Sequence, residues 1–239
     1  MDNNHISNNR IQMLTSIVDY SLGHKVIDIY KKNRVPVNLV LHGYGAANSE
    51  IYDILGFGEV KKSVIFSVMT ETMANSILDE MHKKMDLNKP GTGIAFTISL
   101  SGCSSILSKL CLTADDNRKS ESEEFHMMQK EPYDLILSIV SGGLFSEVMD
   151  VAKAAGATGG TLIHARGVGS EEAAKFLGIT IQPEKDIVMI LTPHEHRHRI
   201  MEKITKEFGL ATAGKGICFS LPVSAAMGLG THSISIDND

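Results

Sequence analysis

The sequence predicts an α+β protein in which one βαββαβ domain occurs twice in tandem. Two observations predict this fold. First, segments recur in order at a spacing of 122 residues: MLTSIV at 13–18 returns as LILSIV at 135–140, and LHGYG at 41–45 returns as IHARG at 163–167. Second, each repeat alternates short apolar runs, typical of buried strands, with stretches whose apolar residues have helical spacing.

The second repeat gives the clearest order of elements. Its strands are predicted at DLILSIV, GGTLIHAR, DIVMILTP and GKGICFSLPV, and its helices at FSEVMDVAKAAG and HEHRHRIMEKITKEFG. Gly156 is predicted to end the first of these helices, and Pro193 to precede the second. This is the split βαβ, or ferredoxin-like, order, in which both helices cover one face of a four-stranded sheet. The other face then needs cover from a subunit or a repeat.

The repeat also sets the domain boundaries. We expect a first domain at 9–108, a linker at 109–131 and a second domain at 132–232. The linker is predicted because TADDNRKSESEE is polar, charged and almost free of apolar residues. SSILSKLCL, just before it, could form a short helix or strand on the first domain.

Composition excludes several classes of protein. The chain has 239 residues and a formal net charge of −5, which argues against a general nucleic-acid binder. No window is long and apolar enough for a membrane span, and MDNNHISNNR lacks the apolar core of a signal peptide. The three cysteines have no metal-type spacing. A cytoplasmic protein with reduced thiols is therefore expected.

Two glycine-rich segments are candidate anion sites. Gly214-Lys215-Gly216 could offer backbone N–H groups and a lysine charge to a phosphate, or could simply be a tight turn. Arg166 stands beside Gly167 and could hold a phosphate, or be a solvated or inter-subunit arginine. His164 alternates with Arg166 on the same strand, so the two share a face. Because the first repeat keeps this histidine but not the arginine, His164 could serve packing common to both repeats.

Three alternating histidines, His194, His196 and His198, raise the alternative of a metal site. On the predicted helix only His194 and His198 share a face, so ordinary surface histidines are the competing interpretation. The sequence contains no G-x-S-x-G motif and no evident Cys–His pairing, and we expect a protein that is not an enzyme.

Three segments of the second repeat together resemble the PII family of nitrogen-regulatory signal-transduction proteins. They are the strand and turn GGTLIHARGVG, the strand EKDIVMILTP that ends in proline, and the loop and strand AGKGICFSLPV. The resemblance covers most of Tyr133 to Gly230 and extends more weakly over Gln12 to Ile106.

The resemblance implies a trimer of ferredoxin-like subunits that binds adenine nucleotides, ATP or ADP, in clefts between subunits. It also implies a long loop, here Gly169 to Glu184, that contacts a target enzyme or membrane transporter. Residue by residue, the positions that match nucleotide, phosphate or 2-oxoglutarate contacts of the family are Thr161, Gly169, Lys185, Gly214 and Gly216.

This sequence also departs from the family pattern. The glutamine that serves magnesium and 2-oxoglutarate is absent near Ser170 and Glu171, Ile217 replaces the phosphate-loop lysine, and a later pair of arginines is missing. Mg²⁺ and 2-oxoglutarate are therefore doubtful ligands, and no cofactor is firmly implied.

The sequence thus predicts a tandem PII-like regulator of a partner protein, with a role in nitrogen metabolism as one option. Its predicted ligand-binding residues are Thr161, Arg166, Gly167, Gly169, Lys185, Gly214, Lys215 and Gly216. The alternative is a metal-binding protein of the same trimeric fold that uses His194 and His198.

Overall fold

A computed structural model describes residues 10–46, 60–85, 87, 89, 91–119, 133–167 and 184–229. Contacts divide the chain into two compact units. Unit 1 comprises Met1–Leu39, Ile65–Gln129 and Ala226–Asp239, and unit 2 comprises Val40–Val64 and Lys130–Ala225. These units are not contiguous in sequence, whereas the boundaries predicted from the repeat are, so those boundaries stay a prediction.

Each repeat folds in the predicted order, which confirms the α+β class and the βαββαβ pattern. The first repeat contains β1 (Ile11–Asp19), α1 (Gly23–Lys32), β2 (Val37–Gly45), β3 (Val60–Thr70), α2 (Glu71–Met85) and β4 (Gly93–Ser99), followed by α3 (Ser105–Lys119). The second contains β5 (Tyr133–Ser141), α4 (Phe145–Ala154), β6 (Thr161–Arg166), β7 (Glu184–Pro193), α5 (His194–Phe208) and β8 (Ile217–Pro222). A last short strand, β9 (Ala225–Met227), follows.

Unit 1 is built around the antiparallel pair β1 and β4, in register from Gln12 with Ser99 to Val18 with Gly93. Its largest fully buried side chains include those of Tyr30 and Phe96. The Tyr30 hydroxyl lies 2.7 Å from the Ser16 hydroxyl, which satisfies a polar group in this core.

A polar cluster joins α1 to α2 on the surface of unit 1. The Glu80 carboxylate accepts hydrogen bonds from Lys84 at 2.6 Å, Asn33 at 2.6 Å and Lys32 at 3.2 Å. Desolvation alone would raise the pKa of Glu80, but the hydrogen bonds from Lys84, Asn33 and Lys32 outweigh it and lower this pKa to about 2.

Helix α3 occupies part of the segment predicted to be a linker. It runs to Lys119, and Cys111 and Asp115 are buried. Residues 109–119 of the predicted linker are therefore helical, because a polar sequence also suits the outer face of a helix, and the linker boundaries stay a prediction. Residues 120–132 lie outside the described part. Among the described helices, none combines the length and the apolar character that a membrane crossing needs.

In unit 2 the four strands of the second repeat form an antiparallel sheet in the order β8-β5-β7-β6. Alternate side chains, such as Val140, Leu162 and Val188, pack against Met149 of α4 and Ile200 of α5. This helix-covered face defines one side of the sheet, and neighbouring residues along each strand point to the other side. The end of β2 also belongs to unit 2, where Tyr44 pairs with Leu162 and Gly45 with Thr161.

Two turns of unit 2 have the backbone conformations expected from the glycines in the sequence. Helix α4 ends at Ala154, and Gly156, just beyond its C-cap, has φ +98°, as expected of a residue that terminates a helix. In the turn between β5 and α4, Gly143 has φ +87°. Both positions favour glycine because it has no Cβ.

Candidate anion-binding site

Most of the predicted site residues meet at one end of the sheet in unit 2. The register places Lys185 beside both Ser141 and Ala165, and Arg166 beside Glu184. The end of β5, the start of β7 and the end of β6 therefore lie together. Gly167 follows directly after β6, whereas Gly169 lies outside the described residues.

The loop at Gly214–Gly216 is docked at the same end. The Gly214 carbonyl accepts hydrogen bonds from the backbone N–H of Ser141 at 3.2 Å and from its hydroxyl at 3.3 Å. A Cβ added at Gly216 would approach the Phe208 carbonyl oxygen to 2.6 Å and the Val140 side chain to 2.8 Å. The loop thus packs closely on β5, which brings Lys215 into the neighbourhood of Ser141 and Lys185.

Thr161 does not join this cluster within the chain. It begins β6, opposite Met189, and Arg166 ends the same strand. Five residues of extended strand separate their Cα atoms by about 17 Å. Thr161 is also buried. No single ligand at the Arg166 end of this sheet could reach Thr161 of the same chain without extending along the strand.

The remaining predicted residues divide between the two faces of the sheet. Arg166 and Glu184 share the helix-covered side, because they alternate in step with Leu162 and Val188 of the core. Lys185 lies on the opposite side with Ser141. An anion held by Lys185 and Lys215 would therefore be on a different side of the sheet end from the Arg166 side chain.

The backbone amides of the Gly214–Gly216 loop are not free for a ligand. The Gly214 N–H donates to the Thr212 hydroxyl at 3.2 Å, the Lys215 N–H to the Thr212 carbonyl at 3.2 Å, and the Gly216 N–H to the Phe208 carbonyl at 2.7 Å. The expected backbone cradle is therefore absent from this loop, because its own turn uses the three donors. The half-buried Lys215 side chain is what the loop offers to an anion.

Lys215 also has an unusual backbone conformation. Its φ is +44°, in the left-handed region that favours glycine, although glycines stand on both sides of it. A non-glycine residue costs about 1–2 kcal/mol in this region. The loop therefore retains a lysine at a position where glycine would be more stable.

Sequence reasoning missed a buried carboxylate beside this site. Asp186 is buried and accepts a hydrogen bond from the Gly143 N–H at 2.8 Å, and its other oxygen lies 3.1 Å from Nδ1 of His164. The His164 ring is largely exposed and lies against Tyr44, with centroids 5.6 Å apart. The sequence could have indicated this pair, because Asp186 is a charged residue within the otherwise apolar strand DIVMILTP.

The histidines of the metal alternative have other partners. His194 Nδ1 lies 2.6 Å from the carboxylate of Asp134, and Arg197 donates to His198 Nε2 at 2.9 Å. A nitrogen that accepts from an arginine cannot bind a metal at the same time. Within the described ranges, no group of three or more His, Cys, Asp or Glu side chains is arranged to hold a metal ion.

A family model describes the region that contains this site. The model of nitrogen regulatory protein P-II matches residues 133–233, which are the second repeat. The second repeat is therefore similar to the P-II family over its whole length. The match covers less than half of the chain and does not include the first repeat. The first repeat nevertheless has the same order of helices and strands.

Solved structures similar to the chain include a putative PII-like signaling protein from Thermus thermophilus, with 21% identity over 42% of this chain and 92% of that one, at a TM-score of 0.32. CPII from Thiomonas intermedia K12, bound to ADP, AMP and acetate, has 17% identity over 42% and 92% of the two chains, at 0.33. The divalent ion tolerance protein CutA1 from Ehrlichia chaffeensis has 10% identity over 44% and 95%, at 0.36. No curated protein matches the chain.

Proposed function

We propose that this protein is a P-II-like regulator that binds an adenine nucleotide and passes the binding signal to a partner protein. The observation that carries the proposal is the match of residues 133–233 to nitrogen regulatory protein P-II. Arg166, Lys185 and Lys215 support it, because all three lie at one end of the sheet in that domain. In this proposal the nucleotide is a signal and is not chemically changed.

In this proposal the phosphates lie on the side of the sheet end that carries Lys185, and Lys215 reaches them from the neighbouring loop. Both lysines neighbour Ser141, one through the strand register and the other through the Gly214 carbonyl. Two ammonium groups suit a phosphate chain, because lysine binds phosphate as a point charge and needs no fixed geometry. Gly167 and Gly169 are assigned to the base of the segment that responds to the ligand.

A trimer would explain how Thr161 contributes to the same ligand. Within one chain Thr161 is about 17 Å from the Arg166 end of its strand, as five extended residues require. A nucleotide in a cleft between subunits could contact Lys215 of one subunit and Thr161 of the next. Sedimentation equilibrium should then give three times the chain mass of 26.0 kDa. A monomeric mass in the presence of nucleotide would contradict this part of the proposal.

The nucleotide assignment is tested by calorimetry with ATP, ADP and AMP, each with and without Mg²⁺, and with 2-oxoglutarate added to each nucleotide. Lys215→Ala should abolish or strongly weaken the heat of binding. Lys203→Ala is the matched control, because Lys203 is an exposed lysine on α5 of the same unit. Equal affinity in Lys215→Ala and Lys203→Ala would contradict the assignment of the phosphates to Lys215.

The partner is proposed to be an enzyme or a membrane transporter in the cytoplasm, contacted through the segment 169–184. Ligand-induced ordering of such a segment is a common way to transmit a signal. Limited proteolysis should therefore cleave within 169–184 more slowly when nucleotide is present. Identical cleavage rates with and without bound nucleotide would show that this segment does not respond.

A further inference from the structure

A groove of about 790 Å³ runs between α5 and β8, and its Arg197 end lies away from the end-of-sheet site. Its lining includes one residue of β8 and several of α5, and the residues that the argument uses are Arg197, His198, Met201, Thr205, Lys206 and Ser220. Asp134, which anchors one end of the groove, lies near the start of β5, and Ser141 ends that strand. Seven residues of strand separate these two positions by about 23 Å, so the two sites are distinct.

Arg197 is held in place by a buried carboxylate. Asp134 is nearly inaccessible, and its Oδ2 accepts from Arg197 Nη1 at 3.3 Å and lies 2.6 Å from His194 Nδ1. The Arg197 side chain is itself only 21% exposed. A guanidinium fixed in this way has already lost most of its rotational freedom, so a ligand that binds it loses little more.

The same guanidinium links the buried carboxylate to the groove. Its Nη2 donates to His198 Nε2 at 2.9 Å, which leaves Nδ1 of that imidazole as its remaining donor. His198 and Arg197 both line the groove, and Ser220 lies across from them on β8. The groove therefore presents a guanidinium and an imidazole at its Arg197 end, and a hydroxyl on its β8 wall.

The rest of the lining limits what the groove can accept. Met201 and Thr205 continue the helical row of Arg197 at intervals of four residues, and Glu202 and Lys206 continue the row of His198. Because Glu202 is a carboxylate between two basic groups, a long polyanion laid along the groove would be repelled at its middle. A compact anion at the Arg197 end would avoid this repulsion.

We infer that the Arg197 end of this groove is a second ligand site of the domain, which binds a small oxyanion such as a phosphate or carboxylate group. Arg197 provides the guanidinium N–H groups that Asp134 and His198 do not use, and His198 and Ser220 complete the site. This site does not depend on the nucleotide site, because it shares none of the residues assigned there.

The test is a titration of the full chain with inorganic phosphate, followed by two-dimensional ¹H–¹⁵N NMR at constant ionic strength, with chloride as the reference anion. The amide signals of Arg197, His198 and Ser220 should move, and those of Ser141 and Lys215 report separately on the nucleotide site. Acetate in place of phosphate distinguishes a carboxylate from a phosphate ligand. Equal shifts with chloride, or no shift at Ser220 and Arg197, would overturn the inference.

Two variants make the assignment specific. Arg197→Lys keeps a positive charge beside Asp134 but loses the planar guanidinium with its remaining N–H donors, and should raise the dissociation constant for phosphate about tenfold. Ser220→Ala should raise it about threefold, because one neutral hydrogen bond is lost. Lys203→Ala, on the same helix but outside the groove, should leave it unchanged. Unaltered binding in both Arg197→Lys and Ser220→Ala would refute the site.

Discussion

Replacement of Lys215 by glycine tests whether this residue is kept for function at the expense of stability. The lysine has φ +44°, a left-handed conformation that costs a non-glycine residue about 1–2 kcal/mol. Glycine removes that cost. It also makes the unfolded chain more flexible, which lowers the free energy of unfolding by about 0.5–1 kcal/mol. The expected net effect of Lys215→Gly is a stabilisation of about 0.5–1 kcal/mol.

Urea denaturation followed by circular dichroism measures this effect. Lys215→Ala is the companion variant, because alanine removes the ammonium group but keeps a Cβ in the left-handed conformation. Lys215→Gly should have the higher urea midpoint of the two, with the same slope. Both variants should lose nucleotide affinity to a similar extent, since both lack the charge.

The two measurements can fail separately. If Lys215→Gly is no more stable than Lys215→Ala, the backbone at this position is not strained and the reasoning from φ is refuted. If both variants bind nucleotide as the wild type does, the lysine does not hold the ligand, whatever the stability comparison shows.

Three other predictions concern a tightly packed glycine, the polar cluster at Glu80 and the cysteine thiols. Gly216→Ala should lower the free energy of unfolding, measured in urea, by about 1–3 kcal/mol through overpacking against β5, whereas Gly102→Ala, with no atom within 4 Å of the new Cβ, should have little effect. Glu80→Gln should lower the free energy of unfolding by about 1–2 kcal/mol near neutral pH. Because the pKa of Glu80 is about 2 in the folded chain and 4.5 ordinarily, its contribution is full above pH 4.5 and is lost as pH falls towards 2, so wild type and variant should converge in acid melts. A thiol reagent followed by mass spectrometry should modify the exposed Cys103 first, since burial raises the pKa of Cys218 to about 11 and keeps that thiol protonated; faster labelling at Cys218 would contradict this.

The order of elements could be predicted because the repeat and the apolar periodicity agree. Strands β5 and β7 are continuous apolar runs, and Gly156 marks the end of α4 in both sequence and structure. Helix α3 was not predicted beyond Leu112, because its polar residues look the same in a linker and on a solvated helix face. Only tertiary contacts of the kind that bury Asp115 separate these two cases.

The candidate site could be predicted only in part. The sequence proposes Arg166, Lys185 and Lys215, but the placement of Arg166 and Lys185 on opposite faces depends on the strand register, which a single sequence does not specify. The separation of Thr161 from Arg166 could have been foreseen, since five residues of one strand span about 17 Å. The use of the loop amides within their own turn could not have been foreseen, because their acceptors include the Phe208 carbonyl at the end of the preceding helix.

The two repeats show why Lys215 is the position to test first. In the first repeat the corresponding loop is Gly91-Thr92-Gly93, and the glycines themselves take positive φ, at +82° and +145°. In the second repeat the central residue, Lys215, has the positive φ instead. The same fold can therefore make this turn without a strained side chain, because the first repeat does so. Strained residues persist where the surroundings or a function require them. This difference between the repeats makes Lys215 the first position at which to test the ligand site proposed for the second repeat, where Lys185 and Arg166 lie at the same end of the sheet.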